Sequence, residues 1–196
     1  EGFTVTPYSE GRVAYVRLNR VSDNMQDADY RKGVLKALNK EEILTAAYGS
    51  LDYATPSYSF LPKTNAHYTE DLEKFEQDLE ASKELVAGGA TKLSLCHVAE
   101  PAQTAQAQVI QAQLKEVGIE VELFGLEQGA YMETAYNCED KTYDMYLGGY
   151  IMTIDPAGYA GMFTTGNMIN YANEEIDALF AASKVETDAD KRAEMF

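Results

Sequence analysis

The apolar and polar positions along the chain divide it into short strand-like runs and longer helical stripes. Two apolar-rich runs, 3–8 and 12–19, are separated by a Ser-Glu-Gly turn, and this pattern predicts an N-terminal β-hairpin. Asp27 and Asn39 each precede apolar residues at helical spacing, so we predict that they cap two helices, the second ending at Gly49.

The segment 50–68 contains two prolines and scattered polar residues, and it predicts a long loop. Loops of this length are often functional, and a surface excursion without a role is an equally compatible interpretation. A helix is predicted over 70–87, with Thr69 as its cap and with Leu72 and Phe75 in its buried stripe.

Beyond residue 88, predicted strands alternate with predicted helices. The strands are 91–98, 119–124 and 143–150, and the helices are 101–117, 127–137, 173–184 and 188–196. Strand, helix and strand at these lengths predict a right-handed βαβ crossover with parallel strands. We therefore predict an α/β fold, a three-layer sandwich on a mostly parallel sheet, in which residues 1–196 form one domain.

The net charge of the chain limits the classes of partner that it can bind. The chain has 16 Lys and Arg against 32 Asp and Glu, a formal net charge of -16. Because so acidic a surface repels phosphate backbones and anionic lipid, we expect no binding to nucleic acid or membrane surfaces. No apolar run approaches the about 20 residues that a membrane span needs. The sequence begins at Glu1 and ends at Phe196 inside a helical segment, so we expect a piece truncated at both ends.

Residues able to bind a metal or perform catalysis are few and scattered. Cys96 and Cys138 lack metal-ligand spacing, and either a disulfide or two free thiols is compatible with them. His67 and His97 have no Cys or His neighbour at such spacing, so no metal site is expected. The sequence has no motif for nucleophilic catalysis, phosphate binding or dinucleotide binding, and no cofactor is expected.

The carboxyl end of the predicted strand 143–150 is the candidate binding edge. Gly148 and Gly149 end this strand, and ligands of open α/β sheets bind at that edge, although a tight turn also explains the glycines. Asp155 precedes Pro156, and its carboxylate could hold a cationic group such as a peptide's free amine. It could equally cap a helix that begins at Pro156, and the two roles are compatible.

A series of short motifs runs along nearly the whole chain. The segments are 13–19, 27–32, 37–43, 70–89, 110–119, 143–145, 155–156, 171–177 and 188–196. Among them, IQAQLKEVGI at 110–119 is close to I-Q-x-Q-L-K-x-I-G-I, and YDM at 143–145 matches Y-D-M. In this order they resemble the family of extracellular solute-binding proteins that deliver oligopeptides, dipeptides or nickel to ABC importers.

The resemblance implies a protein of two lobes that encloses its ligand between them, with this chain as the second lobe, of the periplasmic-binding-protein type II. It implies that Tyr131 and Tyr150 line the ligand cleft. Thr153 stands where the family usually has an acidic residue for a peptide's amino terminus, and Asp155 is the candidate substitute. The predicted ligand-binding residues are therefore Tyr131, Tyr150, Thr153, Asp155 and Gly149.

The resemblance also implies that the site lacks the basic residues that would bind a peptide's carboxylate. Basic residues that some members use for a peptide's carboxylate would fall near Cys138 and Leu147, and neither side chain can bind a carboxylate. We therefore do not expect charged contacts to both ends of a peptide. The ligand could be a peptide, a nickel complex, a sugar or another small molecule.

Three functions follow as hypotheses. The leading one is passive capture of a small solute, most simply an oligopeptide, by the extracytoplasmic binding component of an ABC importer. Its partners would be the permease subunits, and any membrane anchor would lie outside these residues. The second is a sensor or protein-interaction domain of the same fold. The third is an acid–base hydrolase that uses Asp155 with Glu127 or Asp144.

Overall fold

A computed structural model describes residues 11–151, 154–169 and 171–196 of the chain. The strands are β1 (Val13–Leu18), β2 (Lys92–Val98), β3 (Glu120–Leu126) and β4 (Met145–Tyr150). The helices are α1 (Ala28–Lys36), α2 (Lys40–Tyr48), α3 (Leu79–Val86), α4 (Pro101–Glu116), α5 (Gln128–Ala135), α6 (Ala160–Phe163), α7 (Glu174–Ser183) and α8 (Ala189–Glu194). Two short 3-10 turns lie at Asp23–Met25 and Pro156–Tyr159.

The strands form one four-stranded sheet in the order β1-β4-β2-β3. β2 pairs in parallel with both β3 and β4, and β1 pairs antiparallel with β4 from Val13 opposite Tyr150 to Leu18 opposite Met145. The predicted βαβ crossover is β2-α4-β3, and the sheet is mostly parallel as predicted. The first predicted hairpin strand, 3–8, lies outside the described residues.

The two faces of the sheet carry different layers of helices. Met145 and Leu147 of β4 belong to the main core, which also contains residues of α1, α2, α3 and α4. Tyr146, one position along the strand, belongs instead to a second cluster with Tyr131 and Ala135 of α5. Because side chains alternate along a strand, this division places helices on both faces and confirms the three-layer sandwich.

The first two helices begin and end where the sequence predicts. The side chain of Asp27 accepts hydrogen bonds from the amides of Asp29 and Tyr30, and that of Asn39 accepts one from the amide of Glu42. Gly49 ends α2 with a φ of 77°, a left-handed conformation that glycine adopts without the steric cost of a side chain. Each cap satisfies backbone groups that the helix itself leaves unpaired.

The helix predicted over 70–87 is too long, since α3 covers only Leu79–Val86. Residues in front of it form tertiary hydrogen bonds instead: the amide of Asp78 donates to the Lys36 carbonyl at 2.8 Å, and Lys40 Nζ donates to the Phe75 carbonyl at 2.7 Å. Leu72, predicted to be buried, is 37% exposed. Contacts with the end of α1 and the start of α2 therefore override the local helical pattern.

The long loop predicted over 50–68 is confirmed, and the irregular backbone continues to residue 78. It is not a fully solvated excursion, because Leu61 is 1% exposed and packs in a cluster with Tyr159, Ala160 and Phe180. The loop therefore covers the segment that follows β4. Within the described ranges, no helix combines the length and apolar character that crossing a bilayer requires.

A buried carboxylate fixes the start of β4. Asp144 is 7% exposed, and its oxygens accept hydrogen bonds from the hydroxyls of Ser22 and Ser94, the amide of Ser94 at 2.8 Å and the side-chain amide of Asn24 at 3.1 Å. Its own carbonyl accepts from the amide of Asn19 at 2.8 Å. One residue thus connects the end of β1, through its carbonyl, with the 3-10 turn after β1 and with β2, through its side chain, at the start of β4.

The substitution Asp144→Asn should destabilise the fold strongly. It replaces one acceptor oxygen by an amide nitrogen that faces buried donors, and an unsatisfied buried pair of this kind costs roughly 2–3 kcal/mol. Urea denaturation at neutral pH measures the free energy of unfolding.

Glu120→Gln is the matched control, because Glu120 is a strand carboxylate with a 73% exposed side chain and a single 3.8 Å ion pair to Lys92. A surface pair of this type contributes roughly 0–1 kcal/mol. Equal losses in the two variants would contradict the anchoring role of Asp144.

Candidate functional site

Four tyrosines gather on the α5 face of the sheet and form the tyrosine cluster: Tyr15, Tyr131, Tyr146 and Tyr150. The ring centroids of Tyr15 and Tyr150 are 5.7 Å apart, and those of Tyr131 and Tyr146 are 6.3 Å apart. The cluster lies toward the carboxyl end of β4, the edge at which open α/β sheets bind ligands. The structure therefore brings the predicted residues Tyr131 and Tyr150 onto one wall.

Gly148 forms the floor of this wall. It pairs with Tyr15 across the strands, and a Cβ atom at this position would lie 2.6 Å from the Tyr131 hydroxyl and 2.8 Å from the Tyr15 hydroxyl. Only glycine therefore allows the two hydroxyls to converge here. Gly149, the residue predicted from the sequence, is the next residue of the strand, and a Cβ there would meet Arg12 at 2.9 Å and the Val13 carbonyl at 3.2 Å.

The tyrosine hydroxyls of the cluster are protonated at neutral pH. Burial raises the pKa of Tyr15, Tyr131, Tyr146 and Tyr150 above the ordinary tyrosine value. The Tyr150 hydroxyl donates to the Phe60 carbonyl at 2.6 Å, which ties the long loop to the wall. The Tyr131 hydroxyl is buried and interacts with the neighbouring hydroxyl of Tyr15.

Tyr15 and Arg17 belong to the same wall, although the sequence alone did not identify them. The Arg17 guanidinium lies over the Tyr146 ring, 4.2 Å from its centroid, and Arg17 Nη1 donates to the Met168 carbonyl at 3.0 Å. Their spacing of two residues in β1 indicates a shared face, but only the pairing of Tyr15 with Gly148 shows which face it is.

Asp155 caps the 3-10 turn that begins at Pro156, as one of its two interpretations predicts. Asp155 Oδ1 accepts from the Ala157 amide at 2.9 Å and from Arg192 Nη2 at 2.6 Å. The Arg192 hydrogen bond, followed by that of the Ala157 amide, lowers the pKa of the Asp155 carboxyl. Contact with a ligand amine stays a prediction for Asp155, and the other predicted site residue in this loop, Thr153, lies outside the described residues.

Asp155 and Asp144, one of the two carboxylate pairs in the hydrolase hypothesis, do not form a site together. Asp144 precedes β4 and Asp155 follows it, so a six-residue strand, about 20 Å long, separates them. The oxygens of Asp144 are moreover engaged by the buried donors described above. Glu127 is an exposed residue at the start of α5.

The histidines and cysteines lie apart from the tyrosine wall or are buried beneath it. His97 is 3% exposed and its Nδ1 lies 2.8 Å from the Val98 carbonyl, while the His67 ring lies 5.3 Å from that of Phe196. Both cysteines are free thiols, and Cys96 is buried. The described segments contain no group of three or more His, Cys, Asp or Glu residues able to hold a metal ion.

Comparison with known proteins assigns the family. Residues 1–171 match the family described as bacterial extracellular solute-binding proteins, family 5 Middle. The dipeptide-binding protein of Escherichia coli (strain K12) is 24% identical over 200 residues, covering 94% of this chain and 37% of the relative. The chain therefore belongs to the family 5 bacterial extracellular solute-binding proteins.

Solved structures show the same fold. The ABC transporter substrate-binding protein CtaP from Listeria monocytogenes superposes with a TM-score of 0.90 at 31% identity, covering 96% of this chain and 40% of that one. The periplasmic binding protein DppA from Helicobacter pylori, in complex with the peptide STSA, gives a TM-score of 0.82 at 21% identity, with coverages of 95% and 38%. The chain thus spans less than half the length of the relatives it matches.

Substitutions at Asp155 separate its cap from its ion pair. Asp155→Ala removes both, and we expect a loss of about 1 kcal/mol in the free energy of unfolding, the usual value of an N-cap side chain. Asp155→Asn keeps a capping oxygen and loses only the partly exposed pair with Arg192, so its loss should be smaller. Urea denaturation at pH 7 measures both variants, and an Asn variant as unstable as the Ala variant would show that the ion pair, not the cap, is the main contribution.

Proposed function

We propose that residues 1–196 form one lobe, the second, of a two-lobed receptor that captures a small peptide for an ABC importer. The observation that carries this proposal is the tyrosine cluster, in which the hydroxyls of Tyr15 and Tyr131 converge over Gly148 near the carboxyl end of β4. The name of the E. coli relative, a dipeptide-binding protein, supports the peptide as ligand.

The chemistry of the wall suits a peptide. Tyr15 and Tyr150 are the partly exposed members of the cluster, and a tyrosine offers a flat apolar face that can pack against side chains of varied type. Capture followed by release needs no bond making or breaking. The hydroxyls of Tyr15 and Tyr131 converge over Gly148 beside these exposed faces.

The ligand-binding residues predicted from the sequence are part of this proposal. Tyr131 and Tyr150 would line the cleft, Gly149 would contribute backbone at its edge, and Asp155 follows β4. Thr153, between Tyr150 and Asp155 in the sequence, stays a predicted ligand contact. The other lobe of the receptor would cover this wall and complete the enclosure. Because most of a ligand's surface is buried in such sites, one lobe alone would bind only weakly.

Members of the family are extracellular proteins, and we therefore propose partners at the outer face of the membrane. The loaded receptor would deliver its peptide to the permease subunits of an importer. Any tether to the membrane, such as a lipid anchor, would lie outside residues 1–196, and the acidic charge of the chain gives it no affinity of its own for anionic lipid.

A sensor or protein-interaction role is the second candidate. It is favoured by apolar side chains that the loop after β4 leaves exposed beside the wall: Ile151 is 55% and Ile154 is 91% exposed. Exposed apolar groups of this kind are typical of contact surfaces. A stable protein partner, together with no affinity for small molecules, would favour this role.

The substitution Tyr131→Phe tests the peptide site by removing only the hydroxyl that meets that of Tyr15. Isothermal titration of the full-length protein with dialanine, trialanine and pentaalanine measures the affinity, and we expect a loss of roughly three- to tenfold, the value of one neutral hydrogen bond. Apolar packing is retained, so stability should change little.

Tyr30→Phe is the matched control, since Tyr30 is a buried tyrosine of the opposite face whose hydroxyl donates to the Ala90 carbonyl at 2.7 Å. Its affinity for peptide should equal that of the wild type. The proposal fails if none of these peptides binds the wild type, or if both variants lose affinity equally.

A further inference from the structure

The residues that follow β4 gain little order from their own side chains. Ile151 is 55% and Ile154 is 91% exposed, although both side chains are apolar. Fixing a backbone costs conformational entropy, and in a loop the burial of apolar side chains usually offsets that cost. Contacts from other parts of the chain must therefore hold the backbone after β4 in place.

Two hydrogen bonds from the long loop provide such contacts. The Phe60 carbonyl accepts from the Tyr150 hydroxyl at 2.6 Å, and the Asn65 side-chain amide donates to the Ile154 carbonyl at 2.9 Å. The partners are 90 and 89 residues apart in the sequence, so both bonds are tertiary contacts. We call residues 58–65 the strap, because this segment holds the chain at the end of β4 and again at Ile154.

The strap has anchors besides these two bonds. Leu61 is 1% exposed and packs in a cluster with Phe180 of α7. At the start of the strap, Lys40 Nζ of α2 lies 3.9 Å from the centroid of the Tyr58 ring, and the Tyr58 hydroxyl donates to Glu76 Oε1 at 2.6 Å. The strap is thus tied to two helices and can serve as a support for the backbone that it contacts.

The side chain of Asn65 combines two hydrogen-bonding functions. Its oxygen accepts from the His67 amide at 2.9 Å, and its nitrogen donates to the Ile154 carbonyl. The backbone of Asn65 closes a turn, because its amide donates to the Pro62 carbonyl at 2.8 Å and its carbonyl accepts from the Tyr68 amide at 3.1 Å. Asparagine often bonds to the backbone two residues on, and unlike aspartate it keeps a donor for a second partner. The turn thus orients this donor toward residue 154.

The Ile154 carbonyl belongs to the peptide group that joins Ile154 to Asp155. Asn65 therefore restrains the orientation of this peptide group. Separate bonds restrain the next residue, since Asp155 Oδ1 accepts from Arg192 Nη2 at 2.6 Å and from the Ala157 amide at 2.9 Å. The strap and α8 thus hold adjacent residues of the segment after β4.

We propose that Asn65 is a positioning residue of the ligand-binding wall, which holds the backbone between Ile154 and Asp155 in the conformation that the ligand meets. This inference rests on the proposed function, which places Tyr150 and Asp155 at the ligand. Asn65 acts through the Ile154 carbonyl and needs no contact with the ligand. Because the segment is ordered before the ligand arrives, binding loses less conformational entropy than it would with an untied loop.

The substitution Asn65→Ser tests this role, because a serine hydroxyl can still accept from the His67 amide but is too short to reach the Ile154 carbonyl. Isothermal titration of the full-length protein with trialanine should show an affinity reduced roughly three- to tenfold, the value of one neutral hydrogen bond. Asn65→Asp also removes the donor but adds a charge, and it should give a similar loss. A loss in Asn65→Asp alone would attribute the effect to the charge and overturn the role.

Backbone 15N relaxation of the full-length protein separates positioning from a general effect on stability. In ligand-free Asn65→Ser, the order parameters of Ile154 and Asp155 should be lower than in the wild type and should rise when trialanine is added. In the wild type they should change little on binding. The free energy of unfolding in urea should be nearly the same in both proteins, because the bond from Asn65 to Ile154 is exposed.

Asn173→Ser is the matched control. Asn173 also accepts from the amide two residues on, that of Glu175 at 3.0 Å, but it caps α7, and serine is an equally good N-cap residue. This variant should bind trialanine as the wild type does. Its order parameters at Ile154 and Asp155 should also equal those of the wild type.

The outcomes separate this inference from the proposed function. If trialanine binds the wild type and both Asn65 variants equally, or binds while the order parameters of Ile154 and Asp155 are the same in all three proteins, the positioning role is overturned and peptide capture stands. If trialanine fails to bind the wild type but order at these residues falls in both variants, the positioning role stands for a solute of another class and the peptide assignment is overturned. Neither binding nor a change in order would overturn both.

Discussion

The buried carboxylate of Asp144 is the interaction on which the rest of the structure depends. It joins the 3-10 turn after β1, through Ser22 and Asn24, to β2, through Ser94, and it does so at the first step into β4. Because β4 pairs with both β1 and β2, fixing its start fixes the register of the inner sheet. A shift by one residue would exchange the two faces of every strand concerned.

The register decides where the binding wall can form. With β4 fixed at Asp144, Met145 and Leu147 face the main core, while Tyr146, Gly148 and Tyr150 face α5. The same pairing turns Tyr15 and Arg17 of β1 toward this second face. The strand thus has a fully bonded acid at its beginning, and near its end the glycine over which the hydroxyls of Tyr15 and Tyr131 converge.

Local signals predicted much of the fold. Capping residues such as Asp27 and Asn39 satisfy backbone groups within a few positions, so their effect is visible in the sequence, and the βαβ unit follows from apolar spacing alone. The helix predicted over 70–87 was too long because its first half bonds to Lys36 and Lys40, which lie far away in sequence. Such tertiary contacts leave no local pattern.

In the candidate site, too, some residues could be predicted from the sequence and others required the structure. Tyr131 and Tyr150 followed from a resemblance, and the cap at Asp155 followed from its place before Pro156. Tyr15 and Arg17 could not be predicted, because their place on the wall depends on which face of β1 they occupy, and only the paired sheet shows this.

The central claim is that this wall serves peptide capture in an extracellular solute-binding protein. Its most direct test is native mass spectrometry of the full-length protein purified from its own host, followed by denaturation and sequencing of what is released. The account predicts a bound mass that fragments as one or more short peptides with free carboxyl termini. Release of a non-peptide solute, or a protein that carries no small molecule and binds none when peptides are added, would contradict it.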